Sequence, residues 1–146
     1  MGKNDSEISW KYGVAWTSEL ETGNETIDFQ HKQLFKLTSD IVEACMGGKD
    51  TSMLKEALDF LISYTVKHFA DEEALQIKYS FPDYERHKKL HDDFKVTAVA
   101  LIEEYNTGCS LENLNNKVDS VIIHWLVRHI KGEDVKMAVY IRKHGI

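Results

Sequence analysis

Residues 68–94 read HFADEEALQIKYSFPDYERHKKLHDDF. His68 and Glu72 stand four apart, and so do His87 and His91. On an α-helix that spacing puts two side chains on one face, about one turn apart. Between the pairs the chain turns around Tyr79 to Pro82. Pro82 suits the first turn of a new helix, with Ser80 as its candidate cap. Two helices joined by a short turn therefore each present a pair of side chains able to bind a metal. Either pair alone arises by chance in many chains; the two together are less common.

The same periodicity extends in both directions. Upstream, Ile27, His31, Leu34, Phe35, Thr38, Ile41, Val42 and Cys45 fall in steps of three and four, and Gly47-Gly48 ends the run. Asp50 or Ser52 can cap the helix that follows. Its stripe is Leu54, Leu58, Leu61, Thr65, His68 and Glu72, flanked by Ala57, Ile62 and Phe69. The third stripe is Tyr84, His87, His91, Phe94, Ala98, Leu101, Ile102 and Tyr105, closed by Asn106-Thr107-Gly108. Ser110 caps a fourth stripe of Leu111, Leu114, Val118, Val121, Ile122, Trp125 and His129. Gly132 is expected to interrupt this helix, with a last turn from Val139 to Arg142. The fold class is all-α: an up-down-up-down four-helix bundle over residues 27–146, preceded by an extended N-terminal arm over residues 1–26. Trp10, Tyr12, Val14 and Trp16 alternate along the arm and would cover part of the bundle.

The bulk properties agree with one globular domain. The chain has 146 residues, one proline and eight glycines, which favours long helices over a turn-rich β fold. A net charge of −6 argues against nucleic acid and anionic membranes as partners. Cys45 and Cys109 are too few for a disulfide framework, which fits a reducing, cytoplasmic setting. No stretch is long and apolar enough to span a membrane. The opening Met1-Gly2-Lys3-Asn4-Asp5-Ser6 fits the loose N-myristoylation pattern, a short signal with meaning only in a eukaryote.

Counting from one end of such a bundle brings the candidate ligands to one level. His31, His68, His87, His91 and His129 lie roughly 24–30 Å from the turn end, with Glu72 and Asp134 a little further on. A single histidine on an apolar stripe is usually a satisfied core residue. Five histidines and two carboxylates in one slab of a core have no inexpensive structural explanation, because buried charges need compensation. A metal centre satisfies them together. Seven donors without cysteine exceed a tetrahedral zinc site, and imidazole with carboxylate suits iron, among others. If both carboxylates and one solvent-derived oxygen bridge two octahedral ions, one position stays open for a small molecule such as O2. Asp134 fits this least well. It follows His129 by five residues, about 500° of α-helix, and on a straight helix it would point roughly 140° away. A bend or an end at Gly132 would be needed. No Glu-x-x-His occurs in the chain, which counts against a ferritin-like carboxylate centre.

The segments Gln30-His31-Lys32, His68-Phe69-x-x-Glu72-Glu73, His87-Lys88-Lys89-Leu90-His91-Asp92-Asp93-Phe94 and Trp125-Leu126-x-x-His129-Ile130 with Asp134 resemble those of the hemerythrin family, single-domain and bacteriohemerythrin-like. The resemblance implies two iron ions joined by an oxo or hydroxo bridge. By resemblance His87, His91 and His129 hold one iron, His31 and His68 the other, and Glu72 and Asp134 bridge them. The iron with two histidines would be the O2 site, with Phe69, Trp125, Leu126 and Ile130 as its apolar lining. Gln30 and Glu73 would be hydrogen-bond partners of ligand imidazoles. The chain departs from the pattern after Asp134, where the family commonly has Tyr three residues on and this sequence has Met137. His124 and His144 fall outside the constellation.

The expected function is reversible O2 binding for storage, transport or delivery, without enzymatic turnover. The expected partners are O2 and an O2-requiring enzyme or a redox partner. Two rival readings use the same centre: an enzyme reacting with peroxide or nitric oxide, and an oxygen or redox sensor module. No acid or base beyond the ligands faces the open position, which disfavours turnover. A sensor would need a separate output partner, since no output domain follows within the 146 residues.

Overall fold

The computed structural model describes residues 16–47 and 54–144. The aromatic alternation before Trp16, the acylation pattern and the candidate caps Asp50 and Ser52 lie outside the described residues. Four long helices form an all-α bundle: α1 (Glu25–Gly47), α2 (Leu54–Lys78), α3 (Tyr84–Asn106) and α4, one unbroken helical run over residues 111–144. The stripe of α1 is buried throughout, from Ile27 and His31 to Val42 and Cys45. Burial of these stripes against one another supplies most of the driving force for such a fold.

Local chemistry fixes where each helix starts and stops. Asn24 caps α1: its Oδ1 accepts from the Ile27 N–H at 3.0 Å, starting the helix two residues before Ile27. The preceding loop is clasped by Asp28, which accepts from the Thr22 N–H and hydroxyl, both at 2.8 Å, and from the Gly23 N–H. Gly23 has φ +85°, and a side chain there would run into the Arg142 guanidinium. At the other end Gly108, φ +106°, closes α3, and Ser110 Oγ accepts from the Asn113 N–H at 3.0 Å to cap α4, as the sequence suggests.

The α2–α3 turn differs from expectation. Ser80 does not cap α3. It ends α2 in the left-handed region, φ +54°, with Ser80 N–H donating to Ile77 O at 3.2 Å and Phe81 N–H to Gln76 O at 2.9 Å. This is a Schellman closure in a form usually taken by glycine. The left-handed serine costs about 1 kcal/mol. Delivering Phe81 into the core, 6% exposed and edge-on to Tyr140 at 5.4 Å, offsets it. Helix α3 then starts at Tyr84, after Pro82 and Asp83.

The interruption expected at Gly132 is also absent. The fourth helix continues to His144 and carries two π turns, Val118–Ile123 and Ile130–Asp134. Its last stretch, Val135–His144, covers the α2–α3 turn. Lys136 pairs with Asp83 at 3.1 Å, Tyr140 Oη reaches Ser80 O at 3.4 Å, and Arg86 pairs with Glu133.

Candidate metal centre

The seven nominated side chains converge in one buried cluster near the α2–α3 end of the bundle. His31 comes from α1, His68 and Glu72 from α2, His87 and His91 from α3, and His129 and Asp134 from α4. His129 is the least buried at 5% exposed; the other six are at 0–1%. Four-residue spacing aligns the pairs on α2 and α3. On α4 the second π turn does the same work for a five-residue spacing. The Val135 N–H donates to Ile130 O, five residues back, so the turn holds one extra residue and returns Asp134 to the face of His129. The helix does not end at Gly132.

Each carboxylate divides its two oxygens between two groups of imidazoles. Glu72 Oε2 lies 3.3 Å from His31 Nε2 and 3.0 Å from His68 Nε2. Its Oε1 lies 3.2 Å from His91 Nε2 and 3.6 Å from His87 Nε2. Asp134 Oδ2 is 3.0 Å from His31 Nε2, while Oδ1 is 3.0 Å from His87 Nε2 and 3.1 Å from His129 Nε2. Two donor sets result: Glu72, His87, His91, His129 and Asp134, and His31, His68, Glu72 and Asp134, with all donor atoms in a set within 4.8 Å of one another. The two carboxylates belong to both.

The electrostatics ask for a cation. His129 Nε2 sits 3.1 Å from both His91 Nε2 and His87 Nε2, so three ring nitrogens point at one place. Without a cation each contact needs a proton shared between rings or sets lone pair against lone pair. Glu72 Oε1 and Asp134 Oδ1 are buried and accept no hydrogen bond, although imidazoles stand 3.0–3.2 Å away. Unmet acceptors of that kind cost about 1–3 kcal/mol each, and metal bonds relieve them. Burial opposes a charged His31 and a charged His87, yet the Asp134 and Glu72 carboxylates outweigh it and raise both to about 9. Burial and Glu72 likewise oppose ionisation of Asp134, but His129 and His31 hold its carboxyl far below the ordinary range. The metal-free cluster thus compensates its carboxylates with protons where metal ions would do so. Nitrogen and carboxylate donors without thiolate fit iron.

The surroundings differ between the two donor sets. His68 Nδ1 donates to Gln30 Oε1 at 2.6 Å, and His91 Nδ1 to Glu73 Oε2 at 2.8 Å, so both expected neighbours reach imidazoles of the cluster. Phe69 stacks flat on His91 at 3.8 Å, and Trp125 flat on His129 at 4.4 Å. Phe69 also stands 6.1 Å from His68, between the two sets. Phe69, Leu126 and Ile130 are buried and Trp125 is half-buried. His124 is exposed near Asp119 at 3.7 Å, and His144 lies on Tyr140 at 4.3 Å; neither joins the cluster.

Gln76 is a neighbour that the sequence reading missed. It continues the α2 stripe one turn beyond Glu72 and is fully buried. Its Nε2 donates to Met137 Sδ at 3.0 Å, and its Oε1 has no partner. The four-residue step from Glu72 was the available signal, masked by the residue type. Met137, the departure from the usual tyrosine, is the side chain Gln76 meets.

Comparison with known proteins gives the same picture. The family model for the hemerythrin HHE cation binding domain matches residues 22–141. A bacteriohemerythrin of Pseudomonas aeruginosa is 29% identical over 122 residues, covering 83% of this chain and 76% of that protein. A myohemerythrin of Theromyzon tessulatum is 33% identical over 121 residues, covering 83% and 88%. A hemerythrin-like protein of Naegleria fowleri is 36% identical over 121 residues, covering 83% and 87%. With the match running from the loop before α1 almost to the end of α4, the chain belongs to the hemerythrin family.

Proposed function

We propose that this protein binds O2 reversibly and stores, carries or delivers it. Its cofactor is a pair of iron ions, as in the hemerythrin domain family, and the buried cluster has the donors for both. In this reading His87, His91 and His129 would hold one ion, His31 and His68 the other, and Glu72 and Asp134 would serve both. The observation that carries it is the division of each bridging carboxylate between a three-histidine set and a two-histidine set. An ion held by the poorer set would have fewer protein donors and so more room for a ligand. When bound, the reduced iron pair supplies electrons to O2 and recovers them on its release.

The residues around the centre have defined tasks. Gln30 and Glu73 accept from His68 and His91 and so leave Nε2 of each ring free for a metal. Phe69, Trp125, Leu126 and Ile130 keep bulk water away, which slows loss of the bound ligand and oxidation of the irons. The relatives are named bacteriohemerythrin, myohemerythrin and hemerythrin-like protein, which favours binding over turnover.

The test compares His68→Ala with His124→Ala. The first removes a donor from the two-histidine set, and O2 binding should disappear or iron content fall while the helical fold persists, because apolar packing carries the bundle. The second lies outside the cluster and should leave both unchanged. Full O2 binding by His68→Ala would contradict the assignment.

A further inference from the structure

A connected line of polar groups leads from the surface of α2 to His68. Lys67 Nζ pairs with Asp71 Oδ2 at 2.9 Å, and the same oxygen accepts from Gln30 Nε2 at 2.8 Å. Gln30 Oε1 then accepts from His68 Nδ1 at 2.6 Å. Gln30 belongs to α1 and is 7% exposed; Asp71 and His68 lie three residues apart on α2, so the amide spans both. We propose that Asp71 is a positioning residue for the two-histidine half of the centre, setting through Gln30 which nitrogen of His68 faces the metal. The proposal rests on the two-metal reading given above.

The two ends of an amide differ in chemistry. Glu73, which backs His91, is a carboxylate and can only accept, so that imidazole is held with Nδ1 protonated. Gln30 has an accepting end and a donating end, and nothing in the residue itself says which meets His68. Asp71 decides it. A carboxylate beside one end of the amide demands the N–H2 there, which turns the oxygen toward His68. Reversing the amide would set oxygen against the Asp71 carboxylate and N–H2 against the Nδ1 proton, two repulsive contacts at once. With Nδ1 protonated, the lone pair of His68 is on Nε2, the atom 3.0 Å from Glu72 Oε2. Should the amide reverse, Nε2 would carry the proton instead and could not ligate. Asparagine at position 71 permits that reversal, because its own amide can donate to the glutamine oxygen. Asp71 is thus the surface-side residue that makes a neutral amide behave as a one-way acceptor.

Cobalt(II) titration of the metal-free full chain tests this with wild type, Asp71→Asn, Asp71→Glu and Asp59→Asn. Asp59 pairs with Lys55 at 3.3 Å in the same four-residue geometry on α2 and serves as the control. Wild type and Asp59→Asn should take up two ions per chain with the same affinities. Asp71→Asn should take up one ion as wild type does and the other about tenfold more weakly, the lower end of what outer partners of metal ligands contribute. Asp71→Glu, which restores the carboxylate, should fall nearer wild type than Asp71→Asn does. Unchanged uptake by Asp71→Asn, equal weakening of both ions, or no recovery in Asp71→Glu would overturn the role of Asp71. Uptake of fewer than two ions by wild type would overturn the two-metal reading, a separate result.

Discussion

The Val135 N–H donates to Ile130 O, five residues back, and this turn brings Asp134 into the buried histidine–carboxylate cluster. A π turn amounts to one residue inserted into an α-helix. Deleting Gly132, which is exposed and has open space beside it, would leave Asp134 four residues after His129. That is the spacing His68–Glu72 and His87–His91 already use. The deletion should keep two irons per chain. Inserting one alanine after Gly132 should rotate Asp134 off the face by about 100° and lose at least one iron. Iron analysis of both variants, with circular dichroism to verify helix content, decides the point.

Glu72→Gln should be costly even without metal. It leaves the charged histidines around a neutral amide in a dry core, and removing one partner of a buried ion pair costs about 3–5 kcal/mol. Chemical denaturation of the metal-free protein measures it. A loss below about 1 kcal/mol would mean that the cluster is not charged as its geometry implies.

The metal-free protein should lose stability toward alkaline pH. Burial disfavours the cationic forms of His31 and His87, but Asp134 and Glu72 outweigh it and hold both pKa values near 9, above the ordinary 6.5. Their contribution is complete below about pH 6.5 and is lost as pH rises through about 9. Glu72 and Asp134 are shifted downward, so their contribution is present above about pH 4 and is lost on further acidification. Denaturant midpoints in the presence of a chelator should therefore be highest near pH 5–6 and lower at pH 9.5. Metal uptake must expel the protons on His31 and His87, so affinity should rise over the same alkaline span.

Gln76→Met should stabilise the metal-free protein. The amide oxygen of Gln76 is buried without a partner and its N–H2 meets only a thioether. Replacing it with an apolar side chain of similar size removes an unmet polar group worth about 1 kcal/mol or more. A thermal melt above that of wild type is the expected outcome.

Most of the bundle and six of the seven clustered side chains were legible because their periodicity is regular; Asp134, five residues after His129, stood against that periodicity. Every member of the α1 stripe read from the sequence is buried, and the caps at Ser110 and Gly108 act as their residue types suggest. Residue type disguised the rest, in the backbone at two places and in side-chain surroundings at two others. Ser80 takes a conformation usually left to glycine, so it read as a cap instead of a helix end. The π turn at Ile130–Asp134 has no composition of its own, so Gly132 read as a break. Gln76 sits on the buried face but is polar, so the stripe seemed to stop at Glu72. Asp71 is a surface acid until the amide of Gln30 is seen beside it.

Reversible O2 binding is read from the absorption spectrum of the iron-loaded protein, reduced under nitrogen, then exposed to O2, then returned to nitrogen. Reversible binding predicts a band that appears with O2, disappears when O2 is removed and returns over repeated cycles, with two irons per chain throughout. A single irreversible conversion on first exposure, or no oxygen-dependent change with both irons present, would contradict it.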